Sequence, residues 1–519
     1  MKLVTTEQMR ELDRLTITEA EVPGLELMRR AGQMVVHSLE GHFEWVLAEN
    51  RPILVLAGKG NNAGDAFVAV HELLDRGHDA VTLVMLAEES ELRGDARIAY
   101  RKMQEMQPNI IYQAGMKSLS TLEAALKSST LVVDGILGTG TKGTVRGRLA
   151  DIINVVNESR KLVLSIDIPS GLNGNEGVPF GVSVMATQVV TMGLPKVGLV
   201  KNRGLDYSSH IDVADIGIPF YYVEDLEAPA EMIVREEIRE ILPKRWNISH
   251  KGSYGHVLVL GGAMGFAGAP VMAGVGALRS GAGLVSVGVP ASVYHAAASM
   301  RPELMVHALP DGGSGRMNDA NLGQVEDLLR RCNVCVIGPG LTTDPEVASW
   351  LAKLLPKIEC PVVLDADALN LVAEDRALLE SIPGEVVITP HPGEMARLMG
   401  CTTKVVMQDR WAIAAKMKED WKGTLVLKGA GTVVTSPSEA IWVNATGNPG
   451  MASGGTGDVL SGMIGGLIAQ GLEVFDAAKA AVFLHGLAGD YAGYRESEYA
   501  MTAIDLLDSI REAFNTTLA

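Results

Sequence analysis

The run Asn448-Pro449-Gly450-Met451-Ala452-Ser453-Gly454-Gly455-Thr456-Gly457-Asp458 sets glycines, two hydroxyl residues and a terminal carboxylate just ahead of the apolar segment 459–464. Glycines let backbone N–H groups turn inward around an anion, and the first turn of a following helix adds unpaired N–H groups and a positive dipole end. A carboxylate in that place repels a phosphate unless it handles a proton or a metal. The combination points to phosphoryl transfer onto a hydroxyl, with Asp458 as base. An ordinary Gly-rich turn ending on an aspartate is the plainer alternative.

Other groups able to do chemistry follow apolar, strand-like segments. Segment 53–57 runs into Gly58-Lys59-Gly60-Asn61-Asn62-Ala63-Gly64-Asp65, a turn of the phosphate-binding kind. An acid to hold a ribose is expected at the end of the next strand; that strand ends in Met85-Leu86-Ala87 before Glu88, which argues against a standard dinucleotide cofactor site. Asp134 opens a second such strand end, and Asp167 with Ser170 a third. Oxygen donors at Asn61, Asn62, Asp65, Asp134, Asp167 and Ser170 fit a cation site combined with acid/base work. In the C-terminal half, Gly338-Pro339-Gly340, Asp365-Ala366-Asp367, His391 between two prolines, and Lys428 all end strand-like runs. Asp365 and Asp367 point the same way if the strand continues through them. Lys428 could neutralise a phosphate. The small-residue window 269–281 suits close packing or the close approach of a flat ligand.

The elements that must position these groups alternate along the chain. Residues 5 to about 48 read as helical, with Thr5 and Gln8 placed for a capping box. Strands are expected at 53–57, 80–86, 130–134, 162–166 and 188–192, then at 256–260, 284–289, 334–338, 362–365, 386–389 and 424–428, with a hairpin over 425–435. Apolar strands joined by helices imply α/β domains built on mainly parallel sheets covered on both faces. An acidic, Pro-containing stretch at 218–232 reads as a linker, dividing the chain into domains 1–222 and 232–519.

Composition narrows the function classes. A net charge of −17 argues against nucleic acid or an anionic membrane as partner. The four cysteines form no disulfide framework, and the Cys332/Cys335 pair lies in a strand-like run with no second pair to complete a zinc site. No signal-like or membrane-length apolar segment occurs, so a cytoplasmic protein is expected, and the Asn-x-Ser/Thr triplets at Asn247, Asn444 and Asn515 count as chance matches.

In this order, GKGNNAGD (58–65), DGILGTG (134–140) and SIDIPSGL (165–172) resemble the epimerase domain of the NAD(P)H-hydrate repair enzymes, and the 27–32 segment LMRRAG is similar to that family's N-terminal region. The resemblance implies a Rossmann-like three-layer α/β domain with potassium held by Asn62, Asp134 and Ser170. Substrate contacts would come from Asn61, Asn62, Ala63, Gly64 and Asp65, from Gly138, Thr139, Gly140, Thr141, Lys142, Gly143 and Thr144, and from Asp167. Asp134 and Asp167 are its catalytic candidates. Ala63 and Ala66 stand where the family usually or often has glycine.

The motifs of residues 235–510 resemble the same family's dehydratase domain, which implies a ribokinase-like α/β fold. The hydrated nicotinamide would then meet Ala269, Gly340, His391 and Asp458, and the adenine nucleotide would lie against Lys428, Gly429, Ala430, Gly431, Thr432 and Gly457. Thr342 replaces a frequent glycine. The implied activity is repair of hydrated NADH and NADPH: R and S epimers interconvert, and the S epimer is phosphorylated by ADP or ATP with Mg2+ and then loses phosphate. Fused proteins of this kind are typically ADP-dependent, and a homo-oligomer is expected. A ribokinase-like small-molecule hydroxyl kinase with a nucleotide-binding N-terminal domain, or a non-catalytic N-terminal binding module, remain as alternatives.

Overall fold

The structure, a computed structural model, describes residues 1–519 and divides into Met1–Glu231 and Met232–Ala519. In the first unit the parallel strands β1 (Ile53–Ala57), β2 (Val81–Met85), β3 (Asn109–Tyr112), β4 (Leu131–Gly135), β5 (Leu162–Ile166), β6 (Gln188–Met192) and β7 (Ile211–Ala214) form one sheet in the order β3-β2-β1-β4-β5-β6-β7. Alternation along β1 sends Val55 and Ala57 into one apolar cluster and Leu54 and Leu56 into another, so both faces are covered. The chain runs from β1 outward to β3 and then returns to β4. The strand order therefore reverses between β1 and β4, which opens a crevice at their carboxyl ends.

The N-terminal helical stretch consists of Thr6–Thr18, Gly24–His42 and Glu44–Ala48. Thr5 Oγ1 accepts from Gln8 N at 3.1 Å while Gln8 Oε1 accepts from Thr5 N at 2.9 Å, the reciprocal capping box read from the sequence. Helix Gly24–His42 lies against helix Asn61–Asp75 so closely that a Cβ on Gly32 would come 2.4 Å from Val68 Cβ. The acidic, Pro-containing stretch 218–232, a linker by composition, is folded. Phe220–Glu224 is helical, and Lys2–Leu3 pairs antiparallel with Ala230 and Glu231. Lys2 Nζ donates to the carbonyls of Val223, Glu224 and Leu226, which fastens the stretch in place.

In the second unit β8 (His256–Leu260), β9 (Leu284–Pro290), β10 (Met305–Leu309), β11 (Val334–Ile337), β12 (Val362–Leu364), β13 (Val386–Ile388), β14 (Thr424–Leu427), β15 (Thr432–Thr435) and β16 (Trp442–Asn444) line up as β16-β15-β14-β13-β12-β11-β8-β9-β10. The strands from β8 to β14 run parallel, and β15 and β16 turn back antiparallel. Here the order reverses between β8 and β11. β12 stops at Leu364, Ala366 takes φ 50°, and Asp367 starts a helix, so the continuous strand expected through Asp365 and Asp367 is not formed. The small residues of helix Gly268–Arg279 serve helix packing against Thr456–Ala469. A Cβ on Gly462 would lie 1.9 Å from Ala273 O, and one on Gly276 would lie 2.5 Å from Val459 O. Cys335 is fully buried in β11, and the cysteines are free. No helix is long and apolar enough to cross a membrane.

Candidate functional site

In the first unit the loops after β1, β4 and β5 converge at the crevice. Asp134 is fully buried, and its carboxylate accepts from Ser170 Oγ at 2.5 Å, Ser165 Oγ at 2.8 Å, Ser170 N at 2.9 Å and Ile136 N at 3.2 Å. Burial raises its pKa, while the hydrogen bonds from Ser170, Ser165 and Ile136 work against that rise. Ser170 Oγ in turn accepts from Leu137 N at 2.8 Å, and Asn62 Nδ2 donates to Leu137 O at 2.9 Å. This leaves Asn62 Oδ1 buried with no hydrogen-bond partner. The structure thus brings together Asn62, Asp134 and Ser170, with the carbonyl of Leu137 among them.

A second group forms around Lys196, whose side chain is fully buried. Its Nζ donates to Asp167 Oδ1 at 2.5 Å, Met192 O at 2.8 Å and Thr191 Oγ1 at 3.2 Å. Asp167 itself sits at φ 65°. Two more carboxyls feel this centre. Burial and then the charges of Asp167 and Asp13 hold the Asp65 pKa well above the usual aspartate range. Asp13, from helix Thr6–Thr18, is pushed up to about 6 by burial and Asp167, against the pull of Lys196. The sequence reading missed Asp13 and Lys196. A lone lysine inside the otherwise apolar Leu194-Pro195-Lys196-Val197-Gly198-Leu199 was the available signal.

Gly138, Thr139, Thr141, Lys142 and Gly143 line a cavity of about 250 Å3 closed on another side by Arg10 and Asn173. Arg10 donates to Thr139 O at 2.5 Å. Gly140 and Thr144 are exposed beside it, as is Asn61 at the head of its helix, while Ala63 and Gly64 are buried in that helix's first turn.

In the second unit Asp458 lies in the first turn of helix Thr456–Ala469, which Gly455 enters at φ 98°. His485 Nε2 is 2.8 Å from Thr456 O, and burial lowers its pKa to about 4, so a neutral ring pins this turn. The preceding loop is tied by Gly447 N to Asp490 Oδ2 at 2.9 Å and by Asn448 Nδ2 to Gly489 O at 2.7 Å. Lys428 Nζ meets Asp365 Oδ1 at 2.7 Å, and a Cβ on Gly457 would come 3.3 Å from the same Nζ. Burial favours neutral Lys428, but Asp365, Glu394 and Asp458 outweigh it and raise its pKa. Burial and the charge of Asp365 push Asp458 up to about 7. Glu394, unremarked from sequence, rises to about 7 for the same two main reasons.

His391 caps helix Pro392–Leu398: Nδ1 accepts from Gly393 N at 2.9 Å, and the ring stays half-exposed. Burial followed by Lys428 and Arg397 lowers its pKa. A Cβ on Gly340 would sit 3.3 Å from Ala269 Cβ, which places these two together at the β8/β11 crevice. Gly429 (φ 144°), Ala430, Gly431 (φ 65°) and Thr432 form a tight loop after Lys428. Arg410, also unforeseen, lies against that loop and donates to Ala430 O; a Cβ on Gly429 would strike its Nη1 at 2.6 Å.

Thr342 adopts φ 70°, a strained conformation for a β-branched residue, and its N–H is held by Asp367 Oδ2 at 2.9 Å. Thr342→Gly relieves that strain at the cost of a floppier unfolded chain. The expected net is a gain of roughly 1 kcal/mol in urea unfolding. A lower midpoint would show that the threonine sits there without strain.

Comparison with known proteins extends over the whole length. The bifunctional NAD(P)H-hydrate repair enzyme Nnr of Moorella thermoacetica is 42% identical over 508 residues, covering 98% of this chain and 96% of that protein. The enzyme of the same name from Coxiella burnetii is 36% identical, with 99% of each chain covered. The chain belongs to the family of bifunctional NAD(P)H-hydrate repair enzymes. The family model described as NAD(P)H-hydrate dehydratase matches residues 257–512, and that described as YjeF-related protein N-terminus matches 24–198. A crystal structure of ADP/ATP-dependent NAD(P)H-hydrate dehydratase from Bacillus subtilis, co-crystallised with ATP/Mg2+, is 30% identical and covers 56% of this chain and 99% of that one, with a TM-score of 0.48. The match to the YjeF-related N-terminus takes in Lys196 and Asp167 but begins after Asp13.

Proposed function

We propose that the unit Met1–Glu231 interconverts the R and S epimers of hydrated NADH and NADPH, and that Met232–Ala519 dehydrates the S epimer at the expense of ADP or ATP. The observation that carries the dehydratase reading is Asp458, a carboxylate with a pKa near 7, set at a helix N-terminus beside Lys428. It accepts the proton of the ring hydroxyl as the terminal phosphoryl group moves onto that oxygen. Hydroxide leaves poorly and phosphate well. Departure of phosphate with loss of a neighbouring ring proton then restores the dihydronicotinamide. Lys428 and the N–H groups of the Gly455–Gly457 turn offset the charge gathering on the transferred group. Magnesium would be held mainly by the phosphates of the nucleotide itself and would offset their charge.

The inverting carbon carries both the hydroxyl and a bond to the ring nitrogen. Loss of that hydroxyl as water, and return of water from the other face, inverts it with no net change. Such a step needs a group that gives and retakes one proton, and Asp65 and Asp13, held protonated more readily than free aspartates, supply the chemistry beside the Asp167–Lys196 pair. The orphaned Asn62 Oδ1, with Ser170 Oγ, Asp134 and the Leu137 carbonyl nearby, fits a potassium ion. Bound there, potassium would supply a fixed positive charge for a phosphate-bearing substrate.

The test is recovery of dihydronicotinamide absorbance from mixed hydrate epimers with ADP or ATP, Mg2+ and K+. Complete conversion of both epimers is expected, with replacement of K+ by Na+ slowing the R epimer alone. Recovery that halts once the S epimer is consumed would overturn the epimerase half, and a stable phosphorylated product would favour a hydroxyl kinase.

A further inference from the structure

The order of strands spreads the second unit's chemistry along one edge of its sheet. The nucleotide loop follows β14, Asp365 follows β12, and the Ala269/Gly340 pair lies at β8 and β11. Past these, on the side away from the nucleotide loop, the segments after β8, β10 and β11 enclose a cavity of about 370 Å3 lined by Met264, Ser314, Arg316, Thr342, Thr343 and Asp344. A hydrated dinucleotide whose reacting ring sits at Asp458 is far longer than that ring, and the nucleotide loop is taken by the phosphoryl donor. We infer that this cavity receives a phosphate group of the hydrated dinucleotide, with Arg316 as its cation. The inference rests on the dehydratase reading above.

Two features join the cavity to the catalytic cluster and hold it ready. Thr342 in its wall is bound by N–H to Asp367 Oδ2 at 2.9 Å, and Asp367 is one of the charges acting on Asp458. The loop bearing Arg316 is fixed by Asp311, which accepts from Gly313 N at 3.0 Å and Gly315 N at 3.1 Å, while Met264 N donates to Gly315 O at 2.8 Å. Arg316 is partly exposed and paired with Asp344, whose other oxygen takes Glu346 N at 2.9 Å. A guanidinium offers two parallel donors to a phosphate, and hydroxyls at Ser314, Thr342 and Thr343 can complete its hydrogen bonds. Asp344 then keeps its backbone bond and yields its share of Arg316 to the incoming anion.

The phosphate could be the diphosphate bridge, common to both hydrates, or the 2′-phosphate, carried only by hydrated NADPH. The test uses the full-length protein and the purified S epimers of both hydrates at saturating ADP, comparing wild type with Arg316→Met and Arg316→Lys. Loss of a charge-assisted contact predicts a rise of about tenfold in KM for the hydrate in Arg316→Met, with a smaller rise in Arg316→Lys and little change in kcat. A rise for both hydrates assigns the diphosphate, and a rise for hydrated NADPH alone assigns the 2′-phosphate; either supports the inference. Unchanged KM for both hydrates, or an equal rise in KM for ADP, overturns it. If Arg316→Met does not fold, Arg316→Lys decides on the same criteria. Wild type that turns over neither hydrate fails earlier and strikes the dehydratase reading instead.

Discussion

Asp458→Asn is expected to lose dehydration by roughly 10²–10⁴-fold, the usual contribution of a positioned base, while the R and S epimers continue to interconvert at the wild-type rate. The amide has nearly the same shape and cannot take a proton, so the helix turn held by His485 should persist. The accompanying signature is in the pH profile. Burial and the charge of Asp365 set Asp458 near 7, and only its ionised form accepts the hydroxyl proton. Dehydratase kcat/KM should therefore rise about tenfold per pH unit below that value and level off above it. Residual turnover in the variant should lack this limb. Loss of epimerisation in Asp458→Asn would contradict the division of labour between the two units.

The second large effect is on stability. Lys196→Met removes the buried cation from Asp167, Asp65 and Asp13 and should cost the first unit about 3–5 kcal/mol in denaturant unfolding, the range for breaking a buried ion pair. The cost should grow with pH. Asp13 and Asp65 hold their protons more tightly folded than unfolded, so each withdraws stability as pH climbs from the ordinary aspartate range through its folded value, about 6 for Asp13. Without Lys196 those folded values move higher still and the loss widens. Wild type and variant should lie closest in stability near pH 4 and furthest apart near pH 8. A uniform difference across that span would mean that lost packing, not lost charge, is responsible.

The elements legible in the sequence are those buried on both faces. β1 and β11 are unbroken apolar runs, β8 is one after His256 and β4 is one up to Asp134, because helices cover them above and below. β3, β7 and β10 went unread, and each is an edge strand in its sheet. Partial exposure lets polar residues such as Asn109, Asp212 and His307 into them, which erases the apolar signal. The site divides the same way. Asp134, Asp167, Lys428 and Asp458 follow strand ends or glycine turns and could be picked out locally. Asp13, Lys196, Glu394 and Arg410 acquire their roles only from partners brought close by folding. Asp365 and Asp367 show the limit of periodicity: the φ 50° turn at Ala366 sends one to Lys428 and the other to Thr342.

The glycine-to-backbone contacts between helices Gly268–Arg279 and Thr456–Ala469 have a mechanical consequence. Gly462 against Ala273 O and Gly276 against Val459 O leave no clearance for either helix to slide or roll on the other. Asp458 and Ala269, one at the head of each helix, are consequently held at a fixed spacing by this contact, so a change at either helix face is passed directly to the other.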